Sequence, residues 1–201
     1  QEVIRALQAC LPESRMIEEA AAPMAGQVAD AQVARVFDNL KAVAEAAGGS
    51  LADAVVDVWQ ASPVGLYENQ DAQQPDMNLR GRFRTDTQGH FYFHSVRPAG
   101  YPVPVDGPCG DLLRAQNRHP FRPAHLHFMV SKPGYKVLVT QVFADDDERL
   151  HTDVTFSVVE SLVGCYQQHV ADATEGAGYY TLNYDMVLQV GDMLFPSPPI
   201  P

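Results

Sequence analysis

Short stretches of alternating apolar and polar residues, separated by turns rich in glycine and proline, constrain the fold of this chain more than any other feature. The chain has 14 glycines and 15 prolines in 201 residues. Strand patterns lie at 51–60, 82–86, 90–96, 123–131, 136–143 and 179–189, whereas 111–116 and 157–169 have helical patterns. Many short strands with few helices predict a mainly β fold, built as a sandwich or a barrel.

The first 50 residues have a different character. Apolar residues recur there at helical spacing, from Val33 and Val36 through Phe37 and Leu40, and the pattern stops at Gly48 and the glycine after it. We therefore predict an amphipathic helix over 30–47. The chain then divides into a helical N-terminal segment, 1–50, which is a candidate dimerisation region, and a β domain, 51–201.

Two histidines separated by one residue lie in the strand pattern at 123–131. Side chains at i and i+2 share one face of a strand, so His125 and His127 project the same way, about 7 Å apart along it. They can form half of a metal site, although a His-x-His pattern alone is a weak signal among seven histidines. Tyr67 and Tyr101 each lie in a Pro/Gly-rich turn at the edge of a strand pattern, where functional side chains often occur.

Several motifs occur in the order found in one enzyme family. They are Val56-Asp57-Val58-Trp59-Gln60-Ala61-Ser62-Pro63, Asn78-Leu79-Arg80-Gly81, Val105-Asp106-Gly107-Pro108, Leu112-Leu113-Arg114-Ala115-Gln116, Arg122-Pro123-Ala124-His125-Leu126-His127 and Thr140-Gln141-Val142-Phe143. From about 51 to 201 the chain resembles the intradiol ring-cleaving dioxygenases, and among them the hydroxyquinol branch. The resemblance implies a β-sandwich with a small helical N-terminal segment.

The resemblance also implies a mononuclear non-haem Fe(III) centre. Tyr67 and His125 would be equatorial ligands and Tyr101 and His127 axial ones, with a solvent hydroxide completing the shell. The chemistry of the side chains agrees, because two phenolate oxygens are hard anionic ligands and a trivalent cation favours deprotonation of a phenol. In this scheme Tyr101 is also catalytic, since the substrate displaces it and it leaves carrying a proton.

Arg122 and Gln141 match two further functional positions of the family. Arg122 would stabilise negative charge on the reacting substrate, which is most effective in a dry site, and Gln141 would donate or accept hydrogen bonds near the open coordination position. From the residues alone, Arg122 could equally form an ion pair at a strand edge, and Gln141 could be a solvated sheet residue.

The substrate is the least constrained part of this interpretation. The turn at 101–104 and the segment 66–70 resemble the hydroxyquinol branch, so Val103 and Pro104, with Val154 as a weaker candidate, would line the ring-binding wall. The reaction would cleave hydroxyquinol (1,2,4-trihydroxybenzene) with O₂ to 3-hydroxy-cis,cis-muconate, the tautomer of maleylacetate. Catechol and chlorocatechol are alternative substrates. A catalytically impaired metal-binding sandwich and a divalent-metal hydrolase using the histidine pair also remain open.

Other conspicuous residues have simpler interpretations. We expect His90 and His94 to be solvated, Trp59 to pack in the core, and the acidic run at 145–148 to be a solvated turn, because it lacks the spacing of an EF-hand loop.

Family members usually have a longer helical N-terminal domain that forms a dimer and an opening strand, for which 24–30 is a candidate. The first 50 residues therefore leave a truncation, a mosaic and a divergent member as alternatives, and a homodimer is expected.

Composition narrows the partners. The formal net charge is −11, which disfavours nucleic acids and anionic membranes. No signal-peptide pattern is found, and no apolar run approaches the roughly 18 residues of a membrane span. The three cysteines are far apart, so a disulfide framework is not expected and a reducing cytoplasm fits. The expected partners are a small aromatic diol or triol and O₂.

Overall fold

The structure is a computed structural model that describes residues 51–170 and 178–197 and the backbone of 33–39. Its strands are β1 (Val33–Asn39), β2 (Val55–Trp59), β3 (Arg80–Arg84), β4 (Phe93–Val96), β5 (Tyr101–Pro102), β6 (Phe121–Arg122), β7 (His125–Ser131), β8 (Leu138–Ala144), β9 (Val163–Gly164), β10 (Tyr166–His169) and β11 (Tyr179–Asp185). Helix α1 (Pro108–Ala115) begins with proline at its first position, where the missing N–H leaves no bond unmade. Two 3₁₀ turns lie at Glu68–Gln70 and Glu160–Leu162.

Two sheets form the body of the fold. The first has the order β3-β2-β7-β8-β9, and its pairs are antiparallel except for β8 with β9. The second has the order β10-β11-β1-β4, in which only β1 and β11 run parallel. A separate two-stranded sheet joins β5 to β6. This mainly β architecture confirms the predicted fold class.

The hydrophobic core lies between the two sheets. Val56, Leu126 and Phe128 from one sheet and Phe93 and Leu182 from the other are all completely buried in one cluster. These apolar side chains alternate along their strands with residues on the outer faces, as a period of two requires. The packing of the two inner faces makes the fold a β-sandwich and leaves the outer face of the five-stranded sheet for other roles.

The helix predicted over 30–47 is wrong where the structure describes it. Residues 33–39 form β1, which pairs with β4 on one side and β11 on the other. Sheet pairing with distant strands outweighs a local apolar spacing that also fits a helix. The other predicted residues of that helix, and the candidate opening strand at 24–30, lie outside the described residues.

The helical pattern over 157–169 is also wrong. Within it the structure places one 3₁₀ turn followed by β9 and β10, and both strands are held by sheet neighbours, β8 and β11 respectively. The helical pattern at 111–116 is confirmed within α1, and the six predicted strand regions each contain a strand. Boundaries differ by a few residues because ladder hydrogen bonds, and not side-chain alternation, determine where a strand ends.

Candidate metal centre

The outer face of β7 carries the histidine pair. Leu126, Phe128 and Val130 point into the core, so His125 and His127 project together from the opposite face, as the i, i+2 spacing predicts. His125 is 1% exposed, and His127 is half-buried. The Pro123 carbonyl holds the His125 ring, since its oxygen lies 2.6 Å from Nδ1. An Nδ1–H donated there leaves the Nε2 lone pair facing outward.

Neighbouring strands place two side chains beside His127. In the register of the sheet, His127 is paired with Trp59 on β2 and with Gln141 on β8. The Trp59 and imidazole rings are parallel, with 4.8 Å between their centroids. The expectation that Trp59 packs in the core is therefore wrong. Val56 and Val58 project from β2 into the core, whereas Trp59 projects from the opposite face of the strand. The stack limits rotation of the His127 ring.

Tyr67 is held at the start of a 3₁₀ turn. Its backbone N–H donates to Oε1 of Gln70 at 3.0 Å, and the next residue, Glu68, accepts a 2.7 Å bond from Nε of Arg80 on β3. The turn before it requires a positive φ of 80° at Gly65, a conformation that glycine adopts at little cost. A Cβ at Gly65 would lie 3.4 Å from Cβ of Tyr101, so this turn brings the two tyrosine segments together.

Tyr101 lies on the short sheet formed by β5 and β6, where it is paired with Arg122. The preceding residue, Gly100, packs so closely that an added Cβ would lie 2.8 Å from the carbonyl oxygen of Arg122. Asp147 reinforces the same corner, because its Oδ2 accepts a 2.8 Å bond from the N–H of Ala124. The acidic run at 145–148 is therefore only partly the solvated turn that we expected. Asp145, Asp146 and Glu148 are exposed, whereas Asp147 is half-buried and accepts hydrogen bonds from backbone N–H groups, including that of the residue just before His125.

The four side chains converge on one point. Oη of Tyr67 lies 3.0 Å from Oη of Tyr101 and 3.0 Å from Nε2 of His127. Nε2 of His125 lies 3.1 Å from Nε2 of His127 and 3.4 Å from Oη of Tyr101. These contacts close a ring of two phenol oxygens and two imidazole nitrogens, called here the donor ring.

The donor ring fits a metal ion. Ligand atoms about 2.0–2.1 Å from one ion lie about 2.9 Å apart at a right angle and about 3.3 Å apart at the tetrahedral angle. The spacings within the ring, 3.0 to 3.4 Å, cover this range. Across residues 51–170 and 178–197, no three His, Cys, Asp or Glu side chains group together to hold a metal, so the tyrosine oxygens complete this donor set.

Burial lowers the pKa values of the two histidines and raises that of Tyr67. It lowers the pKa of His125 to about 4 and that of His127 to about 3, with the charge of Arg122 acting in the same direction, so both imidazoles are neutral at pH 7 and keep a free lone pair. Burial, followed by the contact with Tyr101, raises the pKa of Tyr67 above its ordinary value. Phenolate formation at Tyr67 therefore needs added positive charge, which a bound cation supplies.

Arg122 lies beside the donor ring and is 6% exposed. Its Nη1 is 3.2 Å from Nε2 of His125, and its Nη2 donates to Oε1 of Gln141 at 2.5 Å. A buried carboxylate, Asp153, lies 3.4 Å from Nε of Arg122 and accepts a 2.7 Å bond from the Ser157 hydroxyl. Arg122 and Gln141 are thus brought together with the four predicted ligands, within one connected network.

The predicted substrate-wall residues are less closely connected to this network. Val103 follows β5, where its N–H donates to the oxygen of Pro120 at 2.9 Å, and Pro104 after it is exposed. Val154 is buried next to Asp153, and its N–H bonds to the oxygen of Phe121 at 3.2 Å. Val103 lies two residues after Tyr101, and Val154 follows the carboxylate that faces Arg122. Their role in binding a substrate stays a prediction.

Sequence reasoning missed Asp153 and Ser157. A carboxylate followed at short intervals by hydroxyl residues is a recognisable turn motif, and the structure shows it, with N–H of Ser157 donating to Asp153 at 3.0 Å. The pairing with Arg122, 31 residues away, has no local signal. His90 was also misread, because it is only 4% exposed and not solvated, whereas His94 is half-buried.

Comparisons with known proteins agree with the fold. A family model described as "Dioxygenase" matches residues 14–190. Hydroxyquinol 1,2-dioxygenase from a Rhizobium species is 44% identical over 149 residues, covering 70% of this chain and 50% of that protein. Catechol 1,2-dioxygenase from Candida albicans is 38% identical over 149 residues, covering 73% of this chain and 49% of that protein.

A solved structure is also similar. Hydroxyquinol 1,2-dioxygenase from Pseudomonas putida superimposes with a TM-score of 0.70 and 38% identity, over 81% of this chain and 58% of that one. The fold and the matches define a ring-cleaving dioxygenase domain, and this chain belongs to the intradiol ring-cleavage dioxygenase family. It spans about half the length of the curated relatives that it matches. No helix within the described residues is long and apolar enough to cross a membrane.

Proposed function

We propose that this chain binds one Fe(III) through Tyr67, Tyr101, His125 and His127 and cleaves a catechol-type ring between its two hydroxyl groups with O₂. The observation that carries this proposal is the donor ring, with its four contacts of 3.0 to 3.4 Å. Two phenol oxygens suit ferric iron better than softer or divalent ions, because as phenolates they partly neutralise the charge. The same two oxygens argue against the alternative of a divalent-metal hydrolase that uses the histidines alone.

When bound, ferric iron would be chelated by the substrate dianion and would make the substrate ring electron-rich enough to react with O₂. The protein supplies the other parts of the reaction. Neutral His125 and His127 keep their lone pairs at pH 7. Tyr101, on the short two-stranded sheet, would accept one of the two substrate protons at Oη and withdraw, and a solvent hydroxide would take the other proton and leave as water. The Nη1 end of Arg122 stabilises the negative charge that develops on the substrate oxygen, at full strength because the guanidinium is shielded from water.

We further propose hydroxyquinol as the preferred substrate, giving 3-hydroxy-cis,cis-muconate. Support comes from the 44% identity to a hydroxyquinol enzyme over 149 residues. Catechol is the second candidate, favoured by the 38% identity to a catechol enzyme over an alignment of the same length. An additional ring hydroxyl needs a polar partner, since a buried hydroxyl without one costs about 1–3 kcal/mol. Val103, Pro104 and Val154 are the proposed apolar wall of the pocket.

Oxygen uptake by the iron-loaded protein tests this proposal. Hydroxyquinol, catechol and 4-chlorocatechol are compared in parallel, with Arg122→Lys as a matched variant that keeps the charge but loses the forked donor geometry. We expect uptake with all three, fastest with hydroxyquinol, and a lower kcat in the variant. Faster turnover of catechol would overturn the substrate assignment. An iron-replete protein should have the strong visible colour of Fe(III) bound by tyrosine. No uptake from such a protein would instead favour a catalytically impaired metal-binding sandwich.

A homodimer is proposed on the family resemblance alone. The apolar helical stripe that also suggested it is replaced by β1 at 33–39. Sedimentation equilibrium at micromolar concentration should give twice the chain mass of 22.0 kDa, and a monomer there would contradict the proposal.

A further inference from the structure

The orientation of the Arg122 side chain is set by its Nη2 atom, both of whose hydrogens have an acceptor. A guanidinium has five N–H donors in a rigid plane. Nη2 has two hydrogens, and the structure gives it two acceptors: Oε1 of Gln141 at 2.5 Å and the hydroxyl oxygen of Ser157 at 2.7 Å. Nε is directed toward Asp153, 3.4 Å away. Because the plane is rigid, these three contacts determine where Nη1 points.

Nη1 points at the donor ring. It lies 3.2 Å from Nε2 of His125, whose other nitrogen is bonded to the oxygen of Pro123. The Nε2 lone pair is placed to accept from Nη1. If a metal ion were to take this lone pair, the Nη1 hydrogens would be free for an oxygen of the substrate.

Ser157 is held so that its oxygen serves Arg122. Its hydroxyl lies 2.7 Å from Oδ2 of Asp153 and 2.8 Å from the hydroxyl of Thr155, and the Thr155 hydroxyl is itself 2.7 Å from the same carboxylate oxygen. The two hydroxyl hydrogens therefore have acceptors among these three side chains, so a lone pair on the Ser157 oxygen is free for Nη2. Asp153 is 2% exposed and adds a buried negative charge that balances the guanidinium.

We propose that Ser157 and Asp153 are positioning residues, which hold the Arg122 guanidinium so that Nη1, and not Nη2, faces the substrate oxygen. This inference rests on the proposed function for its effect on catalysis, but the positioning itself is a property of the protein. Among the described hydrogen bonds, neither residue has one to the donor ring. Thr155 provides a matched control, since its hydroxyl binds the same carboxylate oxygen as Ser157 but has no contact with Arg122 among the described hydrogen bonds.

The first experiment measures the guanidinium directly, without turnover. Nitrogen-15 NMR of the protein loaded with Ga(III), a diamagnetic trivalent ion, reports rotation about the Cζ–Nη bonds, and Arg122→Lys identifies the Arg122 signals by their loss. We expect separate Nη signals for Arg122 in the wild type and in Thr155→Val, and merged signals in Ser157→Ala. Signals that stay equally separate in Ser157→Ala would overturn the proposal.

The second experiment uses the iron-loaded protein and its natural chemistry. In Ser157→Ala, kcat for hydroxyquinol should fall on the order of tenfold with KM within about twofold, because a displaced charge weakens the transition state more than substrate binding. Ser157→Thr, which restores the hydroxyl, should recover most of kcat, and the visible spectrum should be unchanged in every variant. An equal loss in Thr155→Val would overturn the proposal. If the wild type consumes no O₂, the proposed function fails, while the NMR comparison still decides the positioning.

Discussion

The two halves of the donor ring are held by different kinds of structure. His125 and His127 lie on β7, the central strand of a five-stranded sheet, with neighbours hydrogen-bonded on both sides. Tyr67 precedes a 3₁₀ turn, and Tyr101 lies on a strand of two residues. The histidine half is therefore fixed by the sandwich itself, whereas the tyrosine half depends on a few side-chain and backbone contacts. We therefore infer that the histidines would retain the metal, whereas both tyrosines would tune it and Tyr101 alone would exchange with the substrate.

Removal of a histidine should have the largest effect. In His127→Ala the donor ring loses a rigid member, and within the described residues no group of three His, Cys, Asp or Glu side chains offers another site. Fe(III) affinity should therefore fall by more than about 100-fold, beyond the loss typical for an outer partner of a ligand. The exposed His151 provides the control, since His151→Ala should keep full iron content. Iron analysis after dialysis against a weak chelator measures both. Retention of iron by His127→Ala would show that the sheet is not the primary anchor.

Removal of a tyrosine should alter colour more than retention. Tyr67→Phe keeps the ring volume but deletes one of the two phenol oxygens, so most of the visible absorption should be lost while the fold is retained. Tyr180→Phe, in β11, is the matched control and should keep the colour. Absorbance per bound iron separates loss of colour from loss of metal. Unchanged absorbance per iron in Tyr67→Phe would remove Tyr67 from the ligand set.

The histidine half of the donor ring could be predicted from the sequence itself, whereas the position of the tyrosine half could not. The face shared by His125 and His127 follows from strand alternation, which is local. The closeness of the tyrosines to that face depends on Gly65 and on the pairing of β5 with β6, so it was accessible only through the family resemblance. The helix expected over 30–47 failed at the described residues 33–39 for the related reason that β1 is paired with strands far along the chain.

The closeness of backbone at the Tyr101 corner predicts a moderate effect. In Gly100→Ala the new Cβ would meet the carbonyl oxygen of Arg122 at 2.8 Å, so the free energy of unfolding should fall by about 1–3 kcal/mol. Gly107→Ala is the control, because nothing lies within 4 Å of its added Cβ; its cost should be limited to the loss of glycine at the N-cap of α1, about 1 kcal/mol or less. Urea denaturation measures both. Equal stability of the two variants would mean that this corner is more compliant than its contacts indicate.

The smallest predicted effect concerns Asp153 and acid. Burial alone would raise its pKa, but hydrogen bonds from Ser157 and Thr155, with the charge of Arg122, outweigh burial and lower the pKa to about 2. A lowered folded-state pKa adds stability that is complete above the unfolded value near 4 and is lost as the pH falls toward 2. Between those values the stability of the metal-free wild type should decline more steeply than that of Asp153→Asn. Parallel declines would show that the carboxylate is not held in its charged form.

A single titration tests the proposal that ferric iron is bound by two tyrosines and two histidines. Metal-free protein is titrated with Fe(III) while the visible spectrum is recorded, with Zn²⁺ as the reference because a d¹⁰ ion gives no such band. We expect a broad visible band that grows to saturation at one iron per chain and does not appear with zinc. Saturable binding of Fe(III) without that band would overturn the proposed ligand set, because it would mean that iron is held without the tyrosine oxygens.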